Sequence, residues 1–342
     1  MVPAKARASR EEEHHPVKNP IFGLILAGAV SAAALAAAPV AAQDDVPSLK
    51  GKTIGVTSIG NEHYWNIKAF RGAIDEIKRL GGTPIGLDAG YVDAKQLAQI
   101  QTLIAQKPDA IIEELGTAAA LEPSFKKITG AGIPLFTLDT GSPYAVNVTT
   151  SDNWRIGEEL ALKLVSDIGG EGNIVVFNGF YSVTPVAIRY DQLQNVLKYY
   201  PKVKIISPEL KEVIPNTVQD AQTQITEVLN KYPKGEIKAI WSAWDVPQVG
   251  ATQALSAAGR NEVKTYGVDG SPDIVSLVKD PNQPAGAVVA QQPYIIGKTS
   301  VDNVARYLAG DHNLPKTTFI PSILVTKENA AEAQVTLGQQ KN

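Results

Sequence analysis

From Lys52 onward, the sequence alternates short apolar segments with segments whose apolar residues recur at helical spacing. This alternation predicts parallel strands joined by crossover helices, and therefore an α/β fold. Within 65–80, four apolar residues share one helical face: Ile67, Phe70, Ile74 and Ile77. Ten strand candidates form two similar sets: 52–59, 83–89, 109–116, 133–139 and 146–152, then 172–180, 203–210, 237–244, 263–270 and 285–292. We therefore expect two halves, each built around a five-stranded sheet.

The amino-terminal segment has the pattern of a secretory signal peptide. Four basic residues come before an uncharged, Ala-rich run over 19–43: Lys5, Arg7, Arg10 and Lys18. Small residues before Ala42 favour cleavage after that position, so residues 1–42 are predicted to be removed. A membrane anchor is the alternative, but Pro39 and the absence of a following basic cluster argue against it. A start at Val17 would give a more compact leader.

The composition of the chain removes several classes of function. There is no cysteine among the 342 residues, which excludes disulfides, thiolate catalysis and cysteine-based metal sites. The formal net charge is -3 and the basic residues are scattered, so a nucleic acid is not an expected partner. Only His63 and His312 follow the leader, and no metal-binding spacing occurs, so neither a metal nor a cofactor is predicted.

Polar residues stand where two of the predicted strands end. The segment IPLFTLD ends at Asp139, and VKTYGVD ends at Asp269. In open parallel sheets, ligands bind outside the carboxyl ends of the strands. We therefore expect these two carboxylates to lie at a binding site.

Several segments, taken in their order along the chain, resemble those of the ribose/galactose-type periplasmic sugar-binding proteins, which are the solute receptors of ABC importers. The resemblance rests on the export leader, KTIGVTSIGNEHYWNIKAFRGAIDEIKRLGG, IPLFTLD, SDN at 151–153 and YGVDGSPD at 266–273. It extends from about Lys52 to about Thr326, over nearly the whole mature chain. YGVDGSPD alone would be weak, because related cytoplasmic repressors carry a similar segment. Those repressors begin with a helix-turn-helix, whereas this chain begins with a signal peptide.

The resemblance implies two Rossmann-like lobes with parallel sheets, three hinge crossovers and a ligand cleft between the lobes. The crossovers would lie near Asp152, Gln291 and Ile320. The implied boundaries are 50–152 plus 293–321 for lobe one, 153–291 plus 322–330 for lobe two, and 331–342 for a carboxyl-terminal tail.

Twelve ligand-binding residues are predicted from the resemblance and from the needs of a polyhydroxy ligand: Asn61, Glu62, Tyr64, Trp65, Glu114, Asp139, Arg189, Asn216, Trp244, Asp245, Asp269 and Gln291. Aromatic faces would cover C–H surface, while carboxylates, amides and a guanidinium fork would bind hydroxyls. Each residue type also has a structural alternative: aromatic core packing, a carboxylate cap, or an arginine on the surface.

Three positions depart from the pattern of the ribose receptors. Glu113 and Glu114 replace an asparagine after the third strand, Asn216 stands near the place of a phenylalanine, and Trp244 with Asp245 replaces Asn-Asp. Ribose is therefore not expected as the ligand. The two glutamates could instead end an exposed strand, since glutamate is mostly a surface residue.

The predicted function is capture of a monosaccharide or small polyol by hinge closure, followed by delivery to an ABC permease in the inner membrane. The protein would be a periplasmic monomer, without enzymatic activity. One alternative is a sensory adaptor that docks on a chemoreceptor or sensor kinase. A further alternative is a carbohydrate-active enzyme with Asp139 and Asp269 as acid and base.

Overall fold

The computed structural model describes residues 46–339, which form twelve strands and ten helices. The strands are β1 (Thr53–Ser58), β2 (Thr83–Asp88), β3 (Ala110–Glu114), β4 (Leu135–Leu138), β5 (Asn147–Ser151), β6 (Gly172–Phe177), β7 (Val203–Ile205), β8 (Ile237–Ser242), β9 (Lys264–Asp269), β10 (Ala285–Ala290), β11 (Thr317–Ile320) and β12 (Ile323–Thr326). The helices are α1 (Tyr64–Arg79), α2 (Asp93–Gln106), α3 (Ala118–Gly130), α4 (Asn153–Asp167), α5 (Thr184–Leu197), α6 (Thr217–Lys231), α7 (Asp245–Ala257), α8 (Pro272–Lys279), α9 (Pro293–Leu308) and α10 (Ala330–Gly338). Within the described range, no helix is both long and apolar enough to cross a bilayer. The predicted signal peptide lies outside the described residues.

The strands form two six-stranded sheets, which define lobe one and lobe two. Sheet one has the order β11-β5-β4-β3-β1-β2, and all its pairings are parallel. Sheet two has the order β12-β10-β9-β8-β6-β7, and β12 alone runs antiparallel to its neighbour. The predicted α/β fold with two lobes is confirmed.

The central strands of both sheets are buried on both faces because helices cover both sides of each sheet. Ile112 and Phe136 in sheet one, like Val176, Trp241 and Val268 in sheet two, are completely buried. Burying one such side chain stabilises the fold by about 1.5–3 kcal/mol. The carboxyl ends of the strands therefore belong to a well-packed frame that can hold a site.

The chain passes between the two sheets three times. The first passage, at Asp152, joins β5 to α4, and the Asp152 carboxylate caps α4 by accepting the Arg155 N–H at 3.1 Å. The second, at 291–292, joins β10 to α9, and the third, at 321–322, joins β11 to β12. Each passage is only one or two residues long, so the two lobes are held close together.

Helix α9 returns to lobe one and packs against α1 at backbone distance. A Cβ atom on Gly297 would overlap the carbonyl oxygen of Ala69, and one on Gly72 would overlap that of Tyr294. This close approach explains why the buried face of α1 differs from the predicted one. The small residues Ala69, Gly72 and Ala73 of α1 are buried, whereas Ile67, which was predicted on the apolar face, is 42% exposed.

Two strands and one helix were missing from the sequence prediction. Strands β11 and β12 have four residues each, and both lie at sheet edges. Residues 331–338, predicted as part of a tail, belong to α10, which buries Ala330, Ala333 and Leu337 in the core of lobe two. Short edge strands carry little apolar pattern, so their sequences do not reveal them.

Candidate ligand-binding site

A cavity of about 90 Å³ lies between the carboxyl ends of the two sheets. Its lobe-one wall comprises Ile59, His63, Trp65, Asn66, Tyr91, Leu115 and Asp139. Its lobe-two wall comprises Phe180, Val183, Pro185, Val186, Arg189, Ile214, Trp244, Asp245 and Asp269, and Gln291 lies at the second passage. Both lobes therefore contribute polar and apolar surface to one small space.

The lobes touch each other around this cavity. The rings of His63 from lobe one and Trp244 from lobe two meet edge to face, with centroids 4.8 Å apart. A backbone bridge joins Thr117 at the start of α3 to Val183 at the start of α5. The cleft is therefore closed in this structure.

Arg189 projects from α5 and is held by hydrogen bonds on one side of its guanidinium. Its Nε donates to Asn153 Oδ1 at 2.8 Å, and its Nη1 donates to the Ala243 carbonyl oxygen at 2.8 Å. The same Nη1 lies 3.4 Å from Asp269 Oδ1, and Arg189 is only 3% exposed. Within residues 46–339, no hydrogen bond uses Nη2. This fixed fork therefore has one nitrogen left for a ligand.

The carboxylates at the strand ends lie in unusual backbone conformations. Asp139 follows β4 with φ of 60°, and Asp269 ends β9 with φ of 104°. Asp269 Oδ1 accepts from Gln291 Nε2 at 2.7 Å, and Asp139 Oδ1 accepts from the Thr150 hydroxyl at 2.5 Å. Positive φ in non-glycine residues costs free energy and is concentrated at functional sites.

The cavity holds three buried carboxyl groups, with Arg189 as the one cation among its described lining residues. Burial raises the pKa of Asp139 to about 6, although the Arg189 charge opposes the shift. Burial, followed by the charge of Asp269, raises the pKa of Asp245 to about 7. Burial also raises the pKa of Asp269, against the effect of Arg189. Among residues 46–339, no group of three or more potential metal ligands is present. Carboxyl groups hydrogen-bond to hydroxyl groups, which both donate and accept.

Three lining residues carry buried polar atoms that lack a hydrogen-bond partner in the described part of the chain. They are Trp65 Nε1, His63 Nε2 and Gln291 Oε1. Leaving such an atom unpaired costs about 1–3 kcal/mol. A ligand rich in hydroxyl groups would satisfy both the donors and the acceptors.

Seven of the twelve predicted site residues line the cavity: Trp65, Asp139, Arg189, Trp244, Asp245, Asp269 and Gln291. Trp65 also packs in the core of lobe one, as its structural alternative predicted, and its contact with a ligand stays a prediction. Arg189 is buried, and its surface alternative is wrong.

The structure does not bring the other five predicted residues into the cavity. Asn61 lies in the loop after β1, where its Oδ1 accepts from the Ser58 hydroxyl at 3.3 Å. Glu62, Tyr64 and Asn216 line a separate groove. They lie at the amino-terminal ends of helices: Tyr64 is the first residue of α1, and Asn216 is the N-cap of α6.

Glu114 lies behind the cavity wall and accepts from Asn66 Nδ2 at 3.2 Å. Glu113 and Glu114 are both fully buried, so their interpretation as the end of an exposed strand is wrong. Burial raises the pKa of Glu113 to about 8 and raises that of Glu114 well above its ordinary value. A protonated carboxyl group can remain in an apolar environment, which explains how β3 tolerates both residues.

Sequence reasoning missed four aromatic or polar lining residues: His63, Asn66, Tyr91 and Phe180. His63, Tyr91 and Phe180 follow the ends of β1, β2 and β6. The rule that ligands bind outside the carboxyl ends of parallel strands, which identified Asp139 and Asp269, would therefore have identified these three residues as well.

The separate groove, called the outer groove here, has a volume of about 600 Å³ and also lies between the lobes. Its lining is mainly polar and includes Glu62, Tyr64, Asn216, Gln219, Gln222, Gln253 and Asp273. His63 is the one residue that lines both spaces among those the structure describes.

Residues 54–312 match the family described as periplasmic binding protein domain. A ribose import binding protein of Bacillus subtilis is 25% identical over 280 residues, covering 81% of this chain and 88% of its own length. An ABC transporter solute-binding protein of Agrobacterium vitis, solved with bound allitol, is 59% identical with a TM-score of 0.83, covering 85% of this chain and all of that one. An ABC sugar transporter subunit of Rhodobacter sphaeroides is 60% identical with a TM-score of 0.81, covering 82% of this chain and all of that one. The predicted resemblance is confirmed, and this chain belongs to the periplasmic binding protein family, among the sugar and polyol receptors of ABC importers.

Proposed function

We propose that the ligand of this receptor is an acyclic hexitol, with allitol as the first candidate. The observation that carries the proposal is the cavity between the lobes, which is lined by the hydrogen-bonded set Arg189, Asp269 and Gln291 and also by Trp65. The sequence identity of 59% to the Agrobacterium vitis protein with bound allitol supports this choice.

The chemistry of the cavity favours a neutral polyol. A chain of hydroxyl groups can accept from Arg189 Nη2 and Trp65 Nε1 and donate to Asp139, Asp269 and Gln291 Oε1. Apolar side chains such as Val186 cover the C–H groups between the hydroxyls. Each hydroxyl therefore finds a partner without a net charge on the ligand.

The mechanism is capture without chemical change. The ligand binds to one open lobe, the other lobe closes over it, and the closed form presents the ligand to an ABC permease in the inner membrane. The mature protein would act as a monomer in the periplasm after its signal peptide is cleaved. Docking on a chemoreceptor would use the same closed form.

The test is a thermal-shift and calorimetric screen of residues 43–342 against allitol, other hexitols, pentitols and the corresponding aldoses. A ligand that binds only the folded state stabilises it by about 2.7 kcal/mol at 100 times its Kd. We expect the largest shift with a hexitol, and chromatography should recover that hexitol unchanged. No shift with any hexitol, or a larger shift with a cyclic sugar, would contradict the proposal.

A further inference from the structure

The cavity and the outer groove are adjacent but separated by side chains. His63 contributes to the lining of both spaces, and the far side of its ring is covered by Trp244 from the opposite lobe. The outer groove, at about 600 Å³, is several times larger than the cavity, at about 90 Å³. The His63–Trp244 contact, called the aromatic wall here, therefore lies where the cavity meets the outer groove.

Both halves of the aromatic wall are held in place by their own lobes. Trp244 Nε1 donates to Glu212 Oε1 at 2.9 Å, and Glu212 Oε2 accepts from the Gly179 N–H. Phe180 packs edge to face on Trp244 with centroids 5.9 Å apart. In lobe one, the His63 ring rests on Tyr91, with centroids 5.2 Å apart. Each ring is therefore supported by contacts within its own lobe.

The imidazole of His63 is suited to an apolar contact because it is uncharged at neutral pH. Burial lowers its pKa to about 4. Glu212, by contrast, is buried and accepts hydrogen bonds with both carboxyl oxygens. Glu212 therefore acts as a positioning residue for Trp244, without lining the cavity itself.

We propose that the aromatic wall determines ligand length, so that His63 and Trp244 together restrict the receptor to polyols that end inside the cavity. This inference rests on the proposed hexitol function and adds its size limit. Beyond the wall, the amides of Asn216, Gln219 and Gln253 line the outer groove and can hydrogen-bond to a sugar. Removal of the His63 ring would join the two spaces and admit a hexitol that carries a glycosyl group on one end.

The experiment compares calorimetric binding of two probes: the hexitol that binds best in the panel above, expected to be allitol, and its terminal glucoside. The proteins are the wild type, His63→Ala, His63→Phe and the control His312→Ala, which removes the exposed histidine outside the cavity lining. The wild type and His312→Ala should bind the hexitol at least 100-fold more tightly than the glucoside. His63→Ala should reduce this preference at least tenfold. His63→Phe lacks the Nε2 atom and should weaken the binding of the hexitol itself, but it retains a ring and should therefore keep the discrimination against the glucoside.

Several outcomes would overturn the inference. One is a wild type that binds the glucoside as tightly as the hexitol. Another is a His63→Ala variant with a normal melting temperature and an unchanged preference. If His63→Ala does not fold, Glu212→Leu replaces it, because leucine cannot accept the hydrogen bond from Trp244 Nε1. A reduced preference in that variant supports the wall, and an unchanged one refutes it. A wild type that binds no hexitol would instead refute the proposed function itself, so the two failures are distinguishable.

Discussion

Replacing Asp139 with asparagine should stabilise the ligand-free protein at neutral pH while weakening its affinity for a hexitol. The Asp139 carboxyl group is 5% exposed, and burial raises its pKa from 3.8 to about 6. At about 1.4 kcal/mol per pKa unit, this difference means that ionisation costs the folded state about 3 kcal/mol above pH 6. Asparagine carries no charge, and its oxygen can still accept the hydroxyl hydrogen bond from Thr150. We therefore expect a net gain of about 1–3 kcal/mol in the free energy of unfolding at about pH 7.5.

The pH dependence distinguishes the removal of a buried charge from a change in side-chain packing as the cause of the added stability. Between 3.8 and about 6, the folded protein holds the Asp139 proton more tightly than the unfolded chain does, so the cost of ionisation falls as the pH falls. The advantage of Asp139→Asn should therefore shrink by about half at about pH 5. Urea unfolding followed by tryptophan fluorescence measures both values, with the exposed Asp311→Asn as the control. An Asp139→Asn variant that is no more stable than the wild type at about pH 7.5, or an advantage independent of pH, would refute the reasoning.

Three further substitutions test the site and the frame. Asp269→Ala should weaken hexitol binding by about 1–3 kcal/mol in calorimetry, because a hydroxyl group of the ligand and the side-chain amide of Gln291 lose their acceptor. Unchanged affinity in this variant would place the binding site elsewhere. Gly297→Ala should lower the free energy of unfolding by about 1–3 kcal/mol, because the new methyl group overlaps the Ala69 carbonyl, whereas Gly130→Ala has open space and should cost nothing. Leu337→Ala should lower the free energy of unfolding by about 2–3 kcal/mol in the same urea assay, because Leu337 is buried in the core of lobe two. If Leu337 belonged to a loose tail, the substitution would leave the free energy of unfolding unchanged.

The sequence predicts the frame well because buried parallel strands leave a strong apolar pattern. Each of the ten predicted strands is present, but all of them end before the predicted limit, most by one or two residues. The residues in that difference include Asp139, Trp244 and Gln291, which line the cavity after the sheet has ended. Apolar pattern continues past the last ladder hydrogen bond, so it cannot distinguish a strand from the loop that bears the site.

The parts that sequence did not predict depend on contacts between distant segments. Ile67 was placed on the buried face of α1, but the close approach of α9 selects a face of small residues instead. Glu114 was expected at the ligand, but its side chain lies behind Asn66. Both outcomes depend on contacts within lobe one between segments far apart in the chain, since Asn66 and Glu114 are 48 residues apart.

The three passages between the sheets also constrain the order in which the chain can fold. Strand β11 completes sheet one by pairing with β5, which ended at Ser151, although β11 itself begins only at Thr317. Strand β12 then completes sheet two beside β10. Neither sheet can therefore acquire its outer edge until almost the whole polypeptide is available, and contacts between segments so far apart form slowly. A nascent chain with this connectivity stays incomplete in both lobes at once, which delays stable folding until synthesis is nearly finished.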